Sequence, residues 1–317
     1  MKVLIPQDIR EAGKNYLKER GYTVVIGSGF DAATIKREIA DADAVIMRTA
    51  LYPADVIAAG KKLKVMARYG VGLDNVDVAA AEKQGVYVTV AKNCNLYSVA
   101  EHAIMLMLTL ARSQVYVDRE SRKGAWGLRN SHSIFEMRGK TLGIVGLGAI
   151  GRQTARMAHN GLEMTIVGFD PYADASKLPA YITLAGFEEL LKTADVISLH
   201  IPYTPETRYM FNATTLKMMK PSAYLINCGR GGIINEDDLY AALKNNTIAG
   251  AGLDVFEQEP VDLSNKLLTL DNFTISPHNA GLTVEAADAM AVSAAQAVDD
   301  VLHGREPMYP VNNPKKA

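Results

Sequence analysis

Short apolar runs rich in β-branched residues alternate with amphipathic stretches from one end of the chain to the other. Val3–Ile5, Thr23–Ile26, Ala44–Met47, Val65–Arg68 and Val86–Val90 form a first series of candidate strands. Leu142–Val145, Met164–Phe169, Val196–Leu199, Ala223–Asn227, Gly250–Asp254 and Phe273–Ser276 form a second. Between them, stretches such as Asp31–Ile39 and Glu236–Lys244 place apolar residues at helical spacing. Strand-helix alternation predicts parallel sheets joined by right-handed crossovers. The runs IVG, VIS and YLIN have no polar face, as expected of strands covered by helices on both sides. The expected fold class is α/β, with two doubly wound parallel-sheet domains.

The pattern divides near residue 98. Ser98 followed by Glu101 reads as a capping box opening a long, mostly apolar helix over Ser98–Ala111, suited to a domain junction. Its Met and Leu stripe reads as packing. A polar, arm-like region holding the only Trp, Trp126, precedes the second strand series. A second apolar helix, Glu285–Leu302, follows the last strand and could return the chain to the first domain.

A chain of 317 residues is long for one core and favours two domains. Lys+Arg (34) and Asp+Glu (35) nearly cancel, with no basic block, which argues against nucleic acid or an anionic membrane surface as partner. Cys94 and Cys228 match no metal spacing and point to a reducing cytosol. The N-terminus lacks the apolar stretch of a signal peptide, and the most apolar helix candidate, Ala103–Ala111, is too short to span a bilayer. A cytoplasmic protein is expected.

Chemistry enters at Gly146-Leu-Gly-Ala-Ile-Gly151, between a strand and a helix pattern. In that setting G-x-G-x-x-G is the dinucleotide fingerprint. Gly146 allows a tight turn, Gly148 close approach of a diphosphate, and Gly151 close helix-strand packing. The helix N-terminus supplies N–H groups and positive dipole for the diphosphate. The next strand ends at Asp170, where a ribose-binding acid is expected, with no Arg or Lys following to pair a 2′-phosphate. NAD is the expected cofactor, in preference to NADP.

Hydride transfer to a small acid further needs a cation for the carboxylate, a proton donor/acceptor and a group that tunes it. Three strand ends offer candidates: Arg230 within Asn227-Cys-Gly-Arg-Gly-Gly232, Glu259 after Gly252-Leu-Asp-Val-Phe-Glu-Gln, and His278 within Ser276-Pro-His-Asn-Ala-Gly281. Read alone, the Arg230 stretch could equally be a second phosphate loop or a tight turn with an incidental charge.

Together with Tyr69-Gly-Val-Gly-Leu-Asp-Asn-Val-Asp77, Ser98-Val-Ala-Glu101 and Leu199-His-Ile-Pro-Tyr-Thr204, these stretches follow in an order and spacing that resembles the D-isomer-specific 2-hydroxyacid dehydrogenase family. The likeness covers nearly the whole chain and is greatest to the phosphoglycerate dehydrogenase and hydroxypyruvate/glyoxylate reductase branch. It implies a Rossmann NAD-binding domain (98–285, with a dimerisation arm) inserted into a flavodoxin-like substrate domain (1–97 and 286–317). It also implies a homodimer, closure of one domain on the other around substrate, and no C-terminal regulatory domain.

By that resemblance His278 is the acid/base, Glu259 its partner, and Arg230 the carboxylate clamp. Cofactor contacts are implied for Gly146, Gly148, Ala149, Ile150, Gly151, Asp170, His200, Thr207, Cys228, Gly229, Asp254, His278 and Gly281, with Asp254 at the nicotinamide carboxamide. Substrate contacts are implied for Arg48, Tyr69, Gly70, Val71, Gly72, Lys92, Arg230 and His278, and no metal. His102, His132, His159 and His303 have no comparable setting, whereas Tyr52, Tyr69, Leu96 and Trp126 are expected to shape the substrate pocket. Where the family carries a Pro-Gly pair before Asn, this chain reads Val90-Ala-Lys-Asn-Cys-Asn95. Lys92, with Arg48, Arg68 and Arg129, suggests a phosphorylated or otherwise dianionic substrate. The competing readings are an NAD-sensing co-repressor, which would not need the Arg230, Glu259 and His278 set, and a formate dehydrogenase-like enzyme, whose pattern carries Gln in place of Glu259.

Overall fold

The computed structural model describes residues 1–314; the last three residues of the expected 286–317 segment lie outside them. The chain divides into two compact units, Met1–Asn95 with the chain from Leu282 onward, and Leu96–Gly281.

The first unit holds β1 (Lys2–Ile5), β2 (Thr23–Ile26), β3 (Ala44–Met47), β4 (Val65–Arg68) and β5 (Tyr87–Val90). They form one parallel sheet in the order β2-β1-β3-β4-β5, the flavodoxin-like arrangement. Pleating sends alternate residues into opposite cores. Val3, Ile5, Ala44 and Ile46 pack on the side of the helices Glu11–Glu19 and Val284–Leu302, while Leu4, Val45 and Met47 pack on the other. Those two helices approach closely because Gly13 faces Ala291; a Cβ at Gly13 would sit 2.5 Å from the Ala291 carbonyl oxygen. Thr283 caps Val284–Leu302 by accepting from Ala286 N at 3.2 Å, a contact worth about 1 kcal/mol. Near the end of the chain, Val90 N donates to Tyr309 O and Val311 N to Val88 O, adding an antiparallel edge to β5.

The second unit holds β6 (Thr141–Val145), β7 (Thr165–Phe169), β8 (Ile182–Leu184), β9 (Val196–Leu199), β10 (Tyr224–Asn227), β11 (Gly250–Leu253) and β12 (Phe273–Ile275). The order β12-β11-β10-β9-β6-β7-β8 is all parallel. It is the doubly wound Rossmann order with one further strand, and it reverses direction between β6 and β9. Leu225 enters one core and its neighbours Tyr224 and Ile226 the other, so the strand has no polar face.

Two details depart from the sequence reading. The long helix begins at Leu96, so Ser98 lies inside its first turn and is buried, which rules out the expected Ser98 cap. β8 was not anticipated: it has three residues, two of them exposed, and pairs only with β7, so it carries no hydrophobic signature. Among the described residues no helix is long and apolar enough to cross a membrane.

Candidate active site

In the second unit the functional side chains lie in loops at the carboxyl ends of the strands. β6 runs directly into the glycine loop. Gly146 has φ +95°, and a Cβ there would meet the His200 carbonyl oxygen at 2.6 Å, so a side chain would be both strained and crowded. A Cβ at Gly151 would overlap the Gly146 carbonyl oxygen, while one at Gly148 would meet nothing within 4 Å. The helix Ala149–Leu162, with Ala149 and Ile150 in its first turn, therefore starts beside open space at Gly148. That open cradle at a helix N-terminus suits the diphosphate of a dinucleotide. At the end of β7, Asp170 accepts from Leu147 N at 2.9 Å and Tyr172 N at 2.9 Å. Its carboxylate is thus anchored beside the glycine loop where a ribose hydroxyl could share it.

After β10 the chain turns through Asn227-Cys-Gly-Arg-Gly-Gly. Buried Asn227 organises this turn: its Nδ2 donates to Arg230 O at 2.8 Å and its Oδ1 accepts from Gly229 N at 2.9 Å. Arg230 Nη1 donates to Gly229 O at 2.8 Å. A Cβ at Gly231 would overlap the Phe256 backbone, so this glycine lets the Arg230 turn press against the segment carrying Glu259. Burial pushes the Cys228 thiol far up, so it is not a thiolate.

His278 Nδ1 and Glu259 Oε2 are 2.6 Å apart. The hydrogen bond to Glu259 raises the His278 pKa, against burial and the charge of Arg230. Burial works against the Glu259 carboxylate, but the hydrogen bond from His278, another from Phe256 N and the charge of Arg230 hold its pKa below the ordinary value. Arg230, Glu259 and His278 are therefore close enough to act on one another. With Nδ1–H committed to Glu259, Nε2 is the ring nitrogen available to exchange a proton.

His278 has φ +52°, a conformation that favours glycine. It is held there by Asp254, whose carbonyl accepts from His278 N at 2.8 Å. The Asp254 carboxylate, 1 % exposed, accepts from Ser276 Oγ (2.6 Å), Asn279 N (3.0 Å) and Ala280 N (3.0 Å). These donors anchor the loop up to Gly281. His200 lies 2.9 Å from Ser198 Oγ, and burial lowers its pKa to about 4, so it is neutral at pH 7. Thr207 Oγ1 donates to Pro202 O at 2.7 Å and braces the turn after β9.

In the first unit, Arg48 Nη1 donates to Asp8 O at 2.8 Å, and its guanidinium lies 5.3 Å from the Tyr69 ring centroid. Gly70 has φ +138°, and its carbonyl accepts from Ala91 N at 2.8 Å. Val71 and Lys92 are exposed and Gly72 half-buried. Arg68 Nε donates to Gly72 O at 2.7 Å and its Nη1 to Arg48 O, so this guanidinium braces the 69–72 loop and keeps its positive charge beside it. Tyr52 is corrected: at 1 % exposure it belongs to the core. Sequence reading passed over Asn227 and Ser276 because polar residues at strand ends are common, and over His102 because its partner is 174 positions away.

Residues 104–280 match the family model described as D-isomer specific 2-hydroxyacid dehydrogenase, NAD binding domain. The chain is 38 % identical over 319 residues to D-3-phosphoglycerate dehydrogenase 2, chloroplastic, of Arabidopsis thaliana, covering 100 % of this chain and 51 % of that protein. It is 36 % identical over 320 residues to glyoxylate reductase of Thermofilum pendens, covering 98 % and 94 %. It spans 51 to 60 % of the length of the first phosphoglycerate dehydrogenases it matches. A crystal structure of a protein from Thermus thermophilus superimposes with a TM-score of 0.92 at 34 % identity, covering 98 % of this chain and 100 % of that one.

Proposed function

The chain belongs to the D-isomer specific 2-hydroxyacid dehydrogenase family, and from that premise we propose that it catalyses reversible, NAD-dependent reduction of a small 2-keto acid to its D-2-hydroxy acid. The observation that carries this reading is the Glu259–His278 hydrogen bond with Arg230 close enough to influence both groups. Arg230 pairs with the substrate carboxylate and polarises the neighbouring keto group. His278 Nε2–H protonates the keto oxygen, and in the reverse direction neutral Nε2 takes the hydroxyl proton. Glu259 keeps the proton on Nδ1 and favours imidazolium. Bound NADH supplies the hydride. Gly146, Gly148, Ala149, Ile150 and Gly151 would hold its diphosphate, and Asp170 a ribose hydroxyl, which is the reason for assigning NAD over NADP. His200, Thr207, Cys228, Gly229, Asp254 and Gly281 would complete the cofactor contacts.

For the substrate side, Arg48, Tyr69, Gly70, Val71, Gly72 and Lys92 are the proposed contacts. The exposed Lys92 and the charge of Arg48 support a dianionic acid such as a phosphorylated one. Similarity to proteins named phosphoglycerate dehydrogenase and glyoxylate reductase leaves substrate size to experiment. The exposed apolar side chains Met105, Val115, Trp126, Ile134 and Phe135 support a homodimer. A cytoplasmic location is proposed from the two free cysteines. Against the co-repressor reading stand Arg230, Glu259 and His278 together, and against the formate reading stands Glu259.

The test is NADH oxidation against hydroxypyruvate, glyoxylate, pyruvate, branched 2-keto acids and 3-phosphohydroxypyruvate. Turnover of at least one, absent in His278→Ala, is expected; no turnover of any would sink the proposal. Equal rates on phosphorylated and unphosphorylated acids would remove the dianion preference alone.

A further inference from the structure

His102, on the helix Leu96–Ala111, belongs to a chain of hydrogen bonds leading to the His278 loop. Its Nε2 lies 2.7 Å from Ser276 Oγ, and that hydroxyl donates to Asp254 Oδ1 at 2.6 Å. His102 Nε2 is also 3.6 Å from Asp254 Oδ1. The direction of the chain follows from counting protons. A carboxylate only accepts, and a serine hydroxyl has a single proton. With that proton directed to Asp254, His102 must present Nε2–H to the serine oxygen. The arrangement is not that of a nucleophilic serine, because the serine stands between the histidine and the carboxylate. Burial lowers the His102 pKa, so at neutral pH the imidazole is uncharged and the Nε2–H tautomer is the one selected.

The far end of this chain is the Asp254 carboxylate, which also accepts from Asn279 N and Ala280 N. Between Ser276 and Asn279 sits His278 in its left-handed conformation, which costs on the order of 1 kcal/mol or more in a non-glycine residue. Holding it requires that its flanks stay fixed. Without a donor at His102, the Ser276 hydroxyl is free to turn away from Asp254, removing one of three donors to a buried carboxylate.

We propose that His102 is a positioning residue for the reduction, orienting Ser276 on Asp254 and so fixing the loop that presents His278. The role in reduction rests on the activity proposed above; the brace itself does not. The test compares His102→Phe, which keeps ring volume without a donor, with His102→Gln, which returns an N–H near the same place. Hydrogen-deuterium exchange is read at Asn279 and Ala280, along with kcat, KM and thermal midpoint. For the Phe variant, exchange at these two amides should rise about tenfold. Its kcat on the best keto acid should fall roughly 10- to 100-fold, as misplacement of a reacting group does, with KM little changed. The Gln variant should recover most of both.

Unchanged exchange at Asn279 and Ala280 overturns the proposal. So does an equal rise at β6 and β9 amides, which marks general destabilisation, or a Gln variant no better than Phe. If wild-type protein turns over no keto acid, the assigned activity fails and with it His102's part in reduction. The exchange result then still decides the brace.

Discussion

At the scale of the residue, the pair Glu259–His278 shows how a shared hydrogen bond sets both protonation states. The His278 pKa is raised, so the pair's contribution through this residue is full below its ordinary value of 6.5 and is lost as pH rises through the raised value. The Glu259 pKa is lowered, so its contribution is full above its ordinary value of 4.5 and is lost as pH falls through the lowered value. Both contributions are therefore complete between 4.5 and 6.5. In the proposed keto-acid reduction protonated His278 is the proton donor, so the rate should decline as pH rises through the raised pKa. Glu259→Gln removes the charged partner, so the decline in kcat/KM should move to lower pH; a profile that stays put would refute the pairing as the cause. Arg230→Lys replaces a fork by a single ammonium. It should lower kcat/KM about 100-fold while leaving the NADH dissociation constant within about threefold, measured by fluorescence titration. Loss of NADH binding instead would mean that the Arg230 turn serves the cofactor's phosphates.

At the scale of the element, the glycine loop separates fold from function. A Cβ at Gly151 would overlap a backbone oxygen, whereas one at Gly148 enters open space. Gly151→Ala is therefore expected to destabilise the protein by about 3 kcal/mol or more, lowering the thermal midpoint. Gly148→Ala should leave the midpoint unchanged yet weaken NADH binding at least tenfold, because the added methyl stands where a diphosphate would approach. Equal effects of the two on stability would contradict these assignments. Helix positions were legible from periodicity in Asp31–Ile39 and Glu236–Lys244, since amphipathic spacing and a capping Asp31 or Asn235 coincide there. The start of Leu96–Ala111 was not, because Ser98 with Glu101 mimics a capping box two residues too late, while the helix starts right after Asn95 and buries Ser98. β8 escaped for the opposite reason: an edge strand with one partner needs no apolar face.

At the scale of the whole molecule, the proposed dimer predicts a gel-filtration mass near twice the chain's 34.3 kDa. Trp126→Asp, which charges a side chain 74 % exposed, should shift the equilibrium toward monomer while preserving the far-ultraviolet circular dichroism spectrum. A monomer in the unmodified protein would remove the dimer proposal.

The amino-acid sequence determined on its own the alternation of strands and helices and the glycine loop with Asp170, and it singled out Arg230, Glu259 and His278 as candidates. These are local signals: periodicity, turn chemistry and charged residues at strand ends can all be read within some ten positions. What only the tertiary structure decided was how distant polar groups spend their hydrogen bonds. Arg68 donates to the carbonyls of Gly72 and Arg48, tying a strand end to a loop and to a second strand. His102 looked like a solitary histidine on an apolar helix and proved to lie 2.7 Å from Ser276. A side chain's donors are assigned by its neighbours in space, and nothing in the order of residues reports a neighbour 174 positions away.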